Sequence, residues 1–278
     1  MTNKIQYRDP SDTTAYPSPV IWADCPVNEM AHDPSTGFHY YDSFENYVST
    51  ATTVVNASGY PIFEGSSTLD GTAGSSAGEL AVFTTADNEG CSLQVGGTMG
   101  APFVIPADST GGKLWFECRV KRENITNARA GFFVGLAGEA AGTVNFIADA
   151  GNDFGDFDLL GFWNDEGDAD AFDIVTQKTS AAFDTILADA VTLVADTYIK
   201  VGFVYDPSGD NAKKIKFYSN GAELATYVEK ASGDATVYLA DSTNFPGGEE
   251  MSLVISAKAA NAADHTVSLD WWRAAQLR

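Results

Sequence analysis

Apolar and polar residues alternate most regularly in the last third of the chain. Residues 197–206 read TYIKVGFVYD, residues 213–228 read KKIKFYSNGAELATYV, and residues 265–277 read HTVSLDWWRAAQL. A period of two marks strands with one buried face. In the second run Ile215 and Phe217 fall on one face, and Lys214, Lys216 and Tyr218 on the other. Asn220-Gly221 interrupts it. This dipeptide supplies the positive φ angles of a tight hairpin turn, so the chain is predicted to double back along residues 224–228.

Further strands are predicted at 60–64, 79–84, 92–96, 114–122, 130–136, 158–163, 172–176, 190–194, 236–240 and 251–257, separated by turns rich in Gly, Asn, Asp and Ser. No window sustains a helical period. The pattern therefore predicts an all-β sandwich of jelly-roll type over 38–278. Residues 65–78 (GSSTLDGTAGSSAG) have the composition of a flexible loop. Residues 1–37 differ, holding five of the ten prolines, at Pro10, Pro17, Pro19, Pro26 and Pro34. Proline removes ladder donors and favours extended backbone, so this segment is expected to be an N-terminal arm. The arm also carries VIWADCPV. Its apolar Ile21, Trp22 and Val27 are expected to form an interface, either across the arm's own sandwich or on a neighbouring subunit.

Two resemblances follow from these residues. A strand, F-Y-x-N-G, a second strand and a terminal strand ending in D-W-W-R resemble the last part of concanavalin A-like (laminin-G-like) jelly rolls. The order W-x-x-C-P, D-P-S-T-G and F-H-Y-Y-D-S-F at 22–44, followed by LWFECRVKRENITNARAGFFVGLAG at 114–138, resembles the lectin-like structural proteins of tailed bacteriophages. With the C-terminal strands the likeness covers residues 20–277. It implies a virion structural protein, and in particular a capsid cement (decoration) protein that binds where capsomers meet. The implied partners are the major capsid protein and further copies of this chain, as dimers or trimers. The implied location is the capsid surface, after assembly in the host cytoplasm. The same fold hosts lectins and glycosidases, so a carbohydrate-binding module on a virion fibre or surface is the alternative, and a polysaccharide-active enzyme the third class.

Charge narrows the field. The chain has 278 residues, 16 basic and 38 acidic, with a formal net charge of −22. Phosphate recognition needs clustered Lys and Arg, so nucleic acid and anionic membrane surfaces are not expected partners. Three cysteines, Cys25, Cys91 and Cys118, form no disulfide framework or metal motif. Cys118 shares a strand face with Leu114, Phe116 and Val120 and is expected to be a buried thiol. The first twelve residues lack an apolar h-region, so no secretory leader is expected.

One segment is strongly biased. Residues 149–173 hold nine carboxylates, and no Lys or Arg occurs from 130 to 177. Dense like charges favour a cation, and Asp/Asn/Gly loops suit the oxygen coordination of Ca²⁺. Asp165, Asp168 and Asp170, in the loop 164–170, are the candidate calcium ligands, against the plainer reading of a solvated acidic turn. No other cofactor is expected. The glycosidase motif E-x-D-x-E finds its nearest match at Asp156-Phe157-Asp158-Leu159-Leu160, where the third carboxylate is missing. Two carboxylates on one strand face do not supply both roles of a retaining mechanism, so no catalytic residue is assigned and the chain is not expected to be an enzyme. Trp271 and Trp272 are adjacent on a predicted strand and should face opposite ways. Trp272 and Trp163, the latter beside the acidic loop, are the candidate stacking platforms for a sugar.

Overall fold

A computed structural model describes residues 15–44, 62–64, 79–84, 87–96, 101–107, 111–126, 130–139, 141–142, 146–148, 153–209, 214–224, 229–232, 234–238, 243–261 and 265–278. It begins with a short helix, α1 (Val27–His32), and the strands β1 (Gly37–Asp42), β2 (Ile62–Glu64), β3 (Leu80–Thr84), β4 (Gly90–Gln94) and β5 (Phe103–Val104). The long strands β6 (Leu114–Arg122), β7 (Ala130–Gly138), β8 (Leu159–Asn164), β9 (Ala171–Gln177), β10 (Asp184–Thr192) and β11 (Ile199–Tyr205) follow. The chain closes with β12 (Ile215–Ser219), β13 (Ala222–Glu223), β14 (Glu229–Ser232), β15 (Asp234–Tyr238), β16 (Glu250–Ala259) and β17 (His265–Leu277).

Two antiparallel sheets face each other. The first runs β1-β17-β6-β11-β12-β13, with β3 also paired to β17; the second runs β10-β9-β8-β7-β16-β4-β2, with β5 paired to β16. β14 and β15 form a separate ribbon. This is the all-β sandwich expected from the alternation. The Asn220-Gly221 turn has φ of 49° and 79° at its two residues and joins Ser219 to Ala222, as the dipeptide predicts.

The core lies between the sheets. Phe116, Cys118 and Val120 of β6, Phe203 of β11 and Trp272 of β17 meet Phe132 and Val134 of β7, Phe162 of β8 and Ile255 of β16. Strand alternation places Trp115, Glu117 and Arg119 on the opposite, outer face of the first sheet. β7 is buried at all nine positions, so both of its faces are covered. Its outer residues Phe133 and Ala137 pack with Leu159, Trp163 and Val175 under a roof formed by Phe146, Ile147 and Phe154.

The expected extended arm differs from what forms. Residues 15–36 make turns and the six-residue α1, and lie across the outer face of the first sheet. Ile21, Trp22 and Met30 are buried there with Trp115, Val204, Tyr218 and Ala275. The predicted loop at 65–78 and the second half of the 213–228 hairpin, at 225–228, lie outside the described residues.

Candidate functional site

Glu117 is the centre of the best-organised polar site. It sits mid-strand on β6 with no solvent exposure. Ser18 N donates to Oε1 at 3.1 Å and to Oε2 at 2.9 Å, and Trp22 Nε1 donates to Oε2 at 2.7 Å. Burial pushes its carboxyl above the usual carboxylate range, while these N–H donors and Lys200 pull the other way. Lys200 Nζ in turn donates to Tyr16 O at 2.9 Å. Arg273, opposite Glu117 in the β17–β6 register, lays its guanidinium 4.1 Å from the centre of the Trp22 ring. Its Nε donates to His39 Nε2 at 2.9 Å. That bond requires a neutral ring, and burial beside Arg273 drives the His39 pKa down to about 4. Asp24 completes the clamp, accepting from Lys113 Nζ at 2.5 Å and Trp115 Nε1 at 3.1 Å. The strap formed by residues 15–36 is thus fastened by an apolar cluster ringed with charge-assisted bonds.

Within the chain, the residues of the expected interface lie on its own first sheet. Ile21 and Trp22 are buried against the protein's own sheet, at 1% and 8% exposure, and Val27 packs half-buried beside them. Of the two positions open to the arm, residues 15–36 take the first.

The candidate sugar platforms are not available. Trp272 is wholly buried in the core, its ring centre 5.7 Å from that of Phe44. Trp163 is buried under the roof of the second sheet, with Phe154 4.7 Å away. It lies so close over Gly131 that a Cβ there would fall 2.6 Å from the indole. Trp271 faces outward as expected from its neighbour, but the strap covers it and its Nε1 donates to Ala15 O at 2.8 Å.

The loop at 164–170 is organised by hydrogen bonds rather than by converging carboxylates. Asn164 Nδ2 donates to Asp168 O at 3.0 Å and Ala171 O at 2.6 Å, and its Oδ1 accepts from Arg122. Asp165 turns back to accept Gly167 N at 2.8 Å. Asp168 stands beside Asp189 and Asp170, and these neighbours push its pKa up to about 6. Among the described residues no group of three or more His, Cys, Asp or Glu side chains is arranged to hold a metal, so Asp165, Asp168 and Asp170 do not converge as expected.

Asp156 and Asp158 do not share a strand face either. They precede β8 and cap the turn after β9. Asp158 accepts from Thr179 N and Oγ1, both at 2.8 Å, and Asp156 Oδ1 accepts from Ser180 N at 2.6 Å. Both brace a turn, Asp158 through both of its oxygens and Asp156 through Oδ1.

No family model matches the chain, and no curated protein matches it by sequence. Solved structures do match in fold. A protein of unknown function from Shewanella oneidensis MR-1 superposes with a TM-score of 0.50 at 13% identity, covering 91% of this chain and 94% of its own. The endo-1,3-beta-glucanase of Streptomyces sioyaensis gives 0.50 at 14% identity, covering 88% and 98%. Peanut lectin gives 0.47 at 14%, covering 87% and 98%. The chain is a concanavalin A-like β-sandwich. At these identities the likeness concerns the fold.

Proposed function

We propose that this protein is a non-catalytic structural protein of a tailed-phage virion, a decoration protein on the capsid surface that bridges capsomers as a dimer or trimer against the major capsid protein. The observation that carries the reading is the roofing of both sheets by the chain itself. The strap covers the outer face of the first sheet, and Phe146, Ile147 and Phe154 cover that of the second. Among the described residues, much of what remains for contact lies at the rims, such as the exposed edge strand β10, and in loops, which suits docking between neighbours better than threading a polysaccharide. The motifs at 22–44 and 114–138 support the same reading. They fall on the strap, β1, β6 and β7, the elements that build and fasten the sandwich. Quantitative mass spectrometry of purified virions tests it. A copy number close to that of the major capsid protein is expected; a few copies per particle, or none, refutes it.

Carbohydrate binding is the second reading, favoured by the fold alone and weakened by the burial of Trp163 and Trp272. A glycan array separates the two. A reducing-sugar assay with laminarin-type and other polysaccharides tests hydrolysis, for which Asp156 and Asp158 are badly placed.

A further inference from the structure

β8 and β9 form a hairpin whose two ends are both acidic. The far end, from the Asp165 loop, is described above. The near end encloses a cleft of about 590 Å³ between the residues before β8 and the turn from β9 to β10. Its lining includes Asp153, Asp156, Gln177 and Ser180, with Phe154 and Phe183 as an apolar wall.

Gln177 distinguishes this cleft from a solvated acidic turn. It is the last residue of β9, only 6% exposed. Its Nε2 donates to Ala181 O at 3.4 Å, which orients the amide, and its Oε1 is buried with no hydrogen-bond donor. Buried carbonyl oxygens are rarely left without a partner, because they have lost water and gained nothing. Asp153 and Asp156, both exposed, each commit one oxygen to a backbone N–H: Asp153 Oδ1 to Phe154 N at 2.7 Å, and Asp156 Oδ1 to Ser180 N at 2.6 Å. The second oxygen of each carboxylate remains for a ligand. The nearest basic residue in sequence, Lys178, is turned away to Glu249 at 2.8 Å and Gly247 O at 3.0 Å. Among the described residues no Lys or Arg lines the cleft.

We infer that this cleft is a site for a hard divalent cation, with Ca²⁺ the best fit. Two carboxylate oxygens, an amide oxygen and a hydroxyl are the ligand types Ca²⁺ takes, and waters complete its six to eight positions. The volume accommodates them, since a water occupies about 30 Å³. Mg²⁺ fits less well, because it demands near-ideal octahedral geometry and gives up water reluctantly. With two carboxylates the site is weak, with Kd of about 0.1–1 mM. Its effect is to tie the residues before β8 to the β9–β10 turn, the same joint that Asp158 holds through Thr179.

The test is thermal unfolding of the full chain in about 5 mM CaCl₂, in MgCl₂, and in NaCl of matched ionic strength, together with terbium luminescence sensitised by Trp163. Calcium is expected to raise Tm by about 2–4 °C over the NaCl control, reversed by EDTA. Asp153→Asn with Asp156→Asn should abolish both the rise and the terbium signal. Asp165→Asn with Asp168→Asn should leave both intact. Gln177→Leu should weaken binding tenfold or more; should that variant unfold, the two exposed aspartates still decide the matter. Equal rises in CaCl₂ and NaCl overturn the inference. So does a calcium rise that survives the Asp153/Asp156 pair or is lost with the Asp165/Asp168 pair.

Discussion

Replacing Glu117 by Gln tests whether the strap is fastened by charge. The carboxylate receives three N–H contacts from two donors, Ser18 N and Trp22 Nε1, in a fully buried setting. Glutamine keeps both donors only if its carbonyl takes the place of Oε2. The amide NH₂ then replaces Oε1 and confronts Ser18 N, donor against donor. Hydrogen bonds to a charged acceptor are worth ~1.5–3 kcal/mol and neutral ones ~0.5–1.5, so the two retained bonds lose roughly 2 kcal/mol together. Lys200 also loses a counter-charge. A total near ~2–3 kcal/mol follows, and ~3–5 kcal/mol for Glu117→Ala, which strands the buried donors. For a chain this size that lowers Tm by about 5–10 °C. The pH dependence has a definite sign. Burial holds the folded pKa above the unfolded one, so the group's stabilisation is fully present below its unfolded pKa and is lost as pH rises through the folded value. The gap between wild type and Glu117→Gln is therefore wider in acid than above the folded pKa, where the ionised carboxylate holds the charge-assisted bonds counted above. Urea unfolding measures the gap, and limited proteolysis within 15–36 reports the strap itself. A Gln variant within about 0.5 kcal/mol of wild type, with unchanged cleavage in the strap, refutes the reasoning.

Two further outcomes are expected. Asp168, with its pKa raised to about 6 by Asp189 and Asp170, should titrate with a midpoint near that value by carboxyl NMR. Because the folded pKa is raised, its contribution to stability is present in acid and lost as pH rises through about 6, and Asp168→Asn should flatten this part of the profile; an ordinary aspartate midpoint would contradict it. Gly161→Ala should cost ~1–3 kcal/mol by overpacking, since a Cβ there lies 2.6 Å from Val134 O and 2.7 Å from Phe133 Cζ. An unchanged urea midpoint would show that the β7–β8 pair yields more readily than its contacts imply.

The sandwich was legible where one face of a strand is buried and the other is polar. The run at 265–277 coincides with β17 from His265 to Leu277, and the 114–122 run with β6. The reading weakened at β10, predicted only at 190–194 but formed by Asp184–Thr192. Its pairing with β9 shifts register twice, and Asp189 has φ of 52°, so the side-chain period of two is broken within the strand. An irregular, acidic edge of this kind resists pairing with another chain, which is a use for the features that hide it from the pattern. Helix α1 escaped for a different reason: six residues are too few to show a helical period.

The chemistry was less legible, because it depends on contacts far apart in sequence. Glu117 lies 99 residues from Ser18, and nothing in LWFECRVK says that its outward face is roofed. One signal was present: a lone carboxylate alternating with Trp115 on an outer face, between core residues Phe116 and Cys118. An aromatic beside a carboxylate on a strand's polar face asks for something to cover both, and the apolar VIWADCPV patch was the one stretch without a sandwich of its own. Joining the two predicts the strap. The tryptophans misled in the opposite direction. Proximity to an acidic loop suggested a binding platform at Trp163, yet Gly131 on the neighbouring strand leaves a slot that only a large flat ring fills. A tryptophan ring lying over a glycine of the neighbouring strand is a packing signature, and it outweighs the polarity of the loop that follows.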